Sequence, residues 1–232
     1  MTNSTQHSDD QQRSATFGFS RSLRSLWRWF MRLFFRLLYN EFAWTYDLVA
    51  WVVSFGQWKA WGRAAIPRLR GPRVLELAHG PGHLLVAMTR VGLGPIGLDL
   101  SPQMGKIALG RLRRAKLGAP LVRGRAQAMP FRASSFDSIV STFPAEFIFD
   151  PATLQEIVRV MKPEGQTVVV MGVMFKQGLP ARFLRWLYRI TYQDESAPPG
   201  MAEAVADAGL TLEHEREPMS MVDVLMVIAR KR

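Results

Sequence analysis

The sequence predicts an α/β fold: a doubly wound sheet of seven strands, mostly parallel with an antiparallel C-terminal hairpin, preceded by amphipathic helices. Three observations carry this prediction. From Gly71 onward, short apolar runs alternate with helical segments, the pattern of βαβ units. The first apolar run ends in the turn Gly80-Pro81-Gly82, after which an apolar helical stretch resumes. The last two runs are separated by Pro218-Met219-Ser220, too short for a crossover helix, so they pair as a hairpin.

Taken in order, strands are expected at Val74–Leu77, Ile96–Leu100, Leu121–Arg123, Ser138–Phe143, Thr167–Val173, Thr211–Glu217 and Val222–Ala229. Helices are expected at His83–Arg90, Pro102–Leu117, Pro151–Met161 and Met201–Ala208. Ser101-Pro102 and Asp150-Pro151 each place a capping side chain before a proline at the first helical position. Gly92, Gly118 and Gly209 follow helices, where a left-handed residue ends the helical ladder.

The part before Gly71 is different in kind. Residues 1–19 are polar and carry acidic charge without an apolar core, so they are expected to be a disordered tail rather than a targeting peptide. Residues 20–70 form a basic amphipathic and aromatic helical cap. Arg21, Arg24, Arg28, Arg32 and Arg36 recur every three or four residues and share about a third of the helix circumference, leaving leucines, Trp27 and phenylalanines to cover the rest. The same alternation returns in residues 178–199, read as a helical insertion in the domain of residues 71–232, where Arg182, Arg185 and Arg189 interleave with Phe183, Leu184, Trp186 and Leu187. Neither stretch offers the roughly 20 apolar residues that cross a bilayer. Both fit a helix lying on an anionic membrane surface, arginine near the headgroups and aromatics at the interface.

Composition narrows the function classes. A chain of 232 residues with a formal net charge of +11 is long enough for a sizeable core and is drawn to anionic partners. Having no cysteine, it can form no disulfide, zinc-thiolate site or thiol nucleophile, which fits a cytoplasmic protein. The expected location is cytoplasmic, peripheral on the inner membrane face. No metal-ligand spacing stands out, so no metal is expected. Arg111, Arg113, Arg114 and Lys116 form a basic cluster, but the basic residues accompany bulky aliphatics rather than stacking aromatics, so nucleic acid is not the expected partner. Self-association is left open.

The stretch VLELAHGPGHLLVAM poses the functional question. Two residues without side chains let a ligand approach the backbone at the start of a helix. Asp99 ends the second strand in GLDLSPQM about 20 residues on, where a Rossmann-like nucleotide-binding fold puts a carboxylate for ribose hydroxyls. With these segments, AQAMPFRASSFDSIVS and EIVRVMKPEGQTVVV, the sequence resembles the class I S-adenosylmethionine-dependent methyltransferases, in particular the group with quinone C-methyltransferases and small-molecule or lipid methyltransferases. The resemblance covers roughly Gly71 to Arg230 and implies S-adenosyl-L-methionine as cofactor. It implies that Glu76, Ala78, Gly80 and Gly82 form the methionine side of the pocket and that Asp99 accepts from the ribose. Leu100, Ser101 and Met104 then flank the adenosine, and Ala126, Gln127 and Ala128 face the adenine. Three positions depart from the pattern: Ala78 stands where the group has its first glycine, His79 occupies the next position, and Arg125 stands where an acidic residue often meets the adenine amine.

Methyl transfer from a sulfonium needs in-line geometry and an unprotonated acceptor, so positioning supplies much of the catalysis and no fixed triad is required. The candidates for a base or acceptor-orienting group are His79, His83, Glu146 and Tyr46. The two histidines flank the turn, Glu146 follows the fourth strand, and Tyr46-Asp47 resembles a pair in the family's N-terminal cap. The acceptor expected from the arginine-bearing helices is a lipid or a lipophilic ring such as a quinone precursor. Two other functions suit the same residues: RNA methylation, on the basic cluster, and a noncatalytic membrane-binding scaffold, on Ala78 and Arg125. The residues leave open whether oxygen, nitrogen or carbon is methylated.

Overall fold

A computed structural model of the chain describes residues 54, 56–176 and 201–232. The predicted tail, the arginine-ladder helix, Tyr46-Asp47 and the insertion at 178–199 lie outside the described residues.

Seven strands form one sheet: β1 (Arg73–Leu77), β2 (Gly94–Asp99), β3 (Leu121–Arg123), β4 (Phe136–Thr142), β5 (Met161–Phe175), β6 (Leu210–Pro218) and β7 (Val222–Lys231), in the order β3-β2-β1-β4-β5-β7-β6. The first five pair in parallel, and β7 is antiparallel to both β5 and β6. The hairpin expected from Pro218-Met219-Ser220 is present, closed by the Met219 N–H donating to the Val222 carbonyl at 2.8 Å. Five helices are described: α1 (Trp58–Arg63), α2 (His83–Arg90), α3 (Pro102–Arg114), α4 (Pro151–Val160) and α5 (Met201–Asp207). Both predicted proline-led starts are capped as expected: the Met104 N–H donates to Ser101 Oγ, and the Ala152 N–H donates to Asp150 Oδ1.

Alternation along the strands divides the interior into two layers. Val74, Val140, Val168 and Val170 face Trp61, Leu84, Leu85, Met88 and Leu112, residues of α1, α2 and α3. Their neighbours Leu75, Ile139 and Val169 point the other way, toward Leu154, Ile157 and Val205 of α4 and α5. A period of two on strands buried on both faces produces this sandwich. Each fully buried aliphatic side chain contributes about 1.5–3 kcal/mol. The residues just before Gly71 share this core: Trp61 is buried, and the Arg68 guanidinium bridges Glu215 and Glu217 of β6 at 2.9 and 2.6 Å.

Parallel order brings the C-terminal ends of β1, β2 and β4 side by side at the point where the strand order reverses. That edge is where open α/β sheets bind ligands.

Candidate active site

The turn after β1 is held from three sides. The Gly80 N–H donates to Asp99 Oδ2 at 2.8 Å, and the Ser101 N–H donates to Asp99 Oδ1 at 2.8 Å, so one carboxylate fastens the β1 turn to the β2 turn. The Ala78 N–H donates to the Leu98 carbonyl at 2.8 Å. Arg111, from α3, donates to the Pro81 carbonyl. The turn is left-handed at Ala78, Gly80 and Gly82, with φ of 54°, 51° and 77°. At Ala78 this costs about 1–2 kcal/mol, because a Cβ crowds the carbonyl oxygen there. The departure noted at Ala78 therefore leaves the backbone shape that glycine would take and adds a methyl to the cleft wall.

The two glycines lack side chains for different reasons. A Cβ on Gly80 would meet nothing within 4 Å, so that position borders open space. A Cβ on Gly82 would lie 2.7 Å from Ala108 Cβ, so its bareness serves the close approach of α3.

Around the turn lies a solvent-open cleft, whose wall includes Trp58, Lys59 and Arg63 of α1, Glu76, Ala78, His79, Gly80, His83, Thr142 and Phe143. Glu76 is 2% exposed, and its Oε2 has no hydrogen-bond partner. Burial, with Asp99 adding repulsion, pushes its carboxyl well above the usual carboxylate range, opposed by a bond from the Leu85 backbone. His79 is 4% exposed; a Cβ on Gly97 would come within 2.7 Å of its ring, so the strand glycine makes its place. Burial lowers its pKa, with Asp99 and backbone carbonyls opposing. His79 Nδ1 lies 2.8 Å from the Gly80 carbonyl, which fixes the proton on Nδ1 in the neutral ring and leaves Nε2 as an acceptor.

The other predicted residues have varied positions. Leu100 is 57% exposed beside Asp99, whereas Met104 is 1% exposed and its side chain belongs to the packed interior. Ala126 packs against the α4 layer, and the Gln127 amide donates to Asp150 Oδ2 at 3.1 Å. Their segment is anchored at Met129: its N–H donates to Glu156 and its carbonyl accepts from Arg159. Arg125 is exposed. Glu146 is exposed on a short 3-10 turn (Glu146–Phe149) and is not part of the cleft wall, so the structure does not bring it to the histidines.

Sequence reasoning missed the opposite wall. Phe143 is left-handed at φ 50°, its N–H donating to the Val170 carbonyl at 2.8 Å, and its ring lies on Trp58 with centroids 3.9 Å apart and planes 30° apart. The available signals were an aromatic segment around residue 58 and an aromatic at the end of β4.

The arrangement fits an adenosyl-methionine donor on three counts. Open space over Gly80 admits a ligand to the backbone. Both Asp99 oxygens keep a lone pair for ribose hydroxyls while bonded to the turns. The orphaned Glu76 Oε2 can accept from the ammonium of an amino acid. Among the described residues no cluster of three or more His, Asp or Glu side chains could hold a metal ion.

Comparison with known proteins agrees with this geometry. A family model for the methyltransferase domain matches residues 75–169. The chain is 30% identical over 181 residues to demethylmenaquinone methyltransferase of Corynebacterium efficiens, covering 72% of this chain and 76% of that protein. It is 33% identical over 136 residues to the demethylmenaquinone methyltransferase of Renibacterium salmoninarum, covering 57% of this chain and 56% of that one, so the match spans little more than half of that relative. In fold it is similar to a Methanococcus maripaludis protein assigned to the S-adenosyl-L-methionine-dependent methyltransferases, with a TM-score of 0.61, 18% identity and coverage of 82% and 91%. From the tied turn, the strand order and these relatives together, the chain belongs to the class I S-adenosylmethionine-dependent methyltransferases, in their quinone C-methyltransferase-like group.

Proposed function

We propose that the protein methylates a ring carbon of a quinone-type acceptor. The observation that carries this is the cleft itself: a turn tied to Asp99 and open over Gly80 shares one cleft with the Trp58–Phe143 pair, an aromatic lining suited to an aromatic ring. The names of the relatives point to the same acceptor class. S-adenosylmethionine, when bound, supplies an electrophilic methyl group. The chain's own residues do the positioning. Gly80, Asp99 and Leu100 hold the nucleoside side, and Glu76 holds the amino-acid side. His79, neutral and with Nε2 unprotonated, can take a proton from the acceptor; His83 stands beside it on the wall. Attack on an electrophilic methyl needs an electron-rich ring, so the reduced hydroquinone, rather than the quinone, is the nucleophile.

Isothermal calorimetry with S-adenosylhomocysteine, followed by transfer of labelled methyl to a short-chain demethylated hydroquinone under reducing conditions, tests the reading. Binding and ring methylation support it. Failure to bind the homocysteine product refutes it and favours the scaffold reading.

The same proposal places the enzyme on a membrane, since such an acceptor is lipophilic and residues 20–38 have the arginine-and-aromatic pattern of an interfacial helix. Among the described residues no helix is long and apolar enough to cross a membrane. Cosedimentation with anionic and neutral liposomes, at two salt concentrations, tests it: equal binding to both refutes surface attraction. RNA binding stronger than liposome binding would move the assignment to RNA.

A further inference from the structure

The wall opposite the turn carries two cations that this function does not yet use. Lys59 and Arg63 lie one helical turn apart on α1, both border the cleft, and both are exposed. Among the described residues neither has a carboxylate partner; Arg63 Nε donates to the Lys59 carbonyl at 3.0 Å, which leaves its terminal amino groups available. They do not serve to neutralise Glu76, whose charged neighbour is Asp99. They share α1 with Trp58, whose ring rests on Phe143, and Phe143 keeps a strained left-handed backbone in that pose. Unpaired cations beside a stacked aromatic wall are a recognition site for an aromatic ring bearing negative charge.

Resting on the proposed function, we propose that Lys59 and Arg63 bind the ionised hydroxyl of the acceptor ring against Trp58 and Phe143, making them the specificity-determining residues for an anionic aromatic acceptor. An opposite charge within about 4–6 Å lowers the pKa of an ionising group by about 1–3 units, and the exposure of both side chains puts the effect at the low end. The ring then meets the methyl donor with its electron density raised. The other titratable groups on the cleft are Glu76 and His79 from β1 and its turn, and His83 from α2. His79 is the group that would receive the hydroxyl proton.

The test uses the full chain saturated with S-adenosylhomocysteine and a nitronaphthol, a phenol whose absorption spectrum reports its ionisation. Bound to the wild type, the probe is expected to ionise about one unit lower than in free solution. In Lys59→Met/Arg63→Met that shift is expected to shrink by about one unit, a tenfold change in the ionised-to-neutral ratio, while Lys59→Arg/Arg63→Lys retains it. Calorimetric affinity for S-adenosylhomocysteine and the thermal midpoint verify that each variant is folded. The inference is overturned if the probe titrates alike in wild type and double-Met protein, or if a wild type that binds S-adenosylhomocysteine takes up no probe. Loss of S-adenosylhomocysteine binding by the wild type refutes the methyltransferase reading instead.

Discussion

Replacing Asp99 by asparagine tests the physical claim on which the cofactor site rests. The carboxylate accepts two backbone N–H groups, from Gly80 and Ser101, each at 2.8 Å. An asparagine amide has one acceptor oxygen, so its amino group must face one of these donors. That leaves one N–H unpaired, costing about 1.5–3 kcal/mol for a lost bond to a charged group, and weakens the other by removing the charge. The sum is about 2–4 kcal/mol, acting on the geometry of both turns. Affinity for S-adenosylhomocysteine, measured by calorimetry, is expected to fall by at least about thirtyfold, the factor for 2 kcal/mol. A second readout is independent of binding. Asp99 opposes the burial that lowers the His79 pKa, so removing its charge should lower that pKa further, as followed by imidazole proton NMR. A variant with affinity within threefold of wild type and an unchanged His79 titration would refute the reasoning.

Other expectations are separable from this one. Gly82→Ala combines φ of 77° with a Cβ at 2.7 Å from Ala108, so it is expected to destabilise the fold by about 2–4 kcal/mol in a denaturant melt. Gly80→Ala meets nothing, so it should cost only the left-handed strain of about 1–2 kcal/mol yet lose more in S-adenosylhomocysteine affinity than in stability. The folded-state pKa of Glu76 is raised, so the stability it contributes is present below about pH 4.5, the unfolded value, and is lost as pH rises through the folded value. Glu76→Gln should therefore raise the thermal midpoint of the cofactor-free protein more at pH 8 than at pH 5, and an unchanged difference would contradict the burial argument. The His79 pKa is depressed, so its contribution is present above about pH 6.5 and is lost as pH falls toward the folded value; His79→Asn should flatten the decline of the midpoint between pH 7 and pH 5. Trp58→Ala removes a ring pair contributing about 0.5–1.5 kcal/mol beyond its buried area and should raise the acceptor KM more than it weakens S-adenosylhomocysteine binding.

Local chemistry made much of this protein legible without coordinates. The strand at Val74–Leu77, the proline-led helices after Ser101 and Asp150, and the closing hairpin follow from apolar period, capping residues and turn composition, all set within a few residues of each other. Gly80 and Asp99 were readable as a pair because a fixed strand-turn-helix-strand length separates them. Tertiary structure alone decided what spans longer distances. It set α1 against β4 so that Trp58 lies on Phe143, 85 positions away, and so placed Lys59 and Arg63 on the cleft. It also separated the roles of two glycines alike in sequence, one bordering a ligand space and the other admitting Ala108. It buried Glu76 and left Glu146 exposed, since burial depends on what packs over a side chain rather than on its type. Periodicity fixes which way a residue points along its own element, whereas what it meets there depends on a partner folded back from elsewhere in the chain.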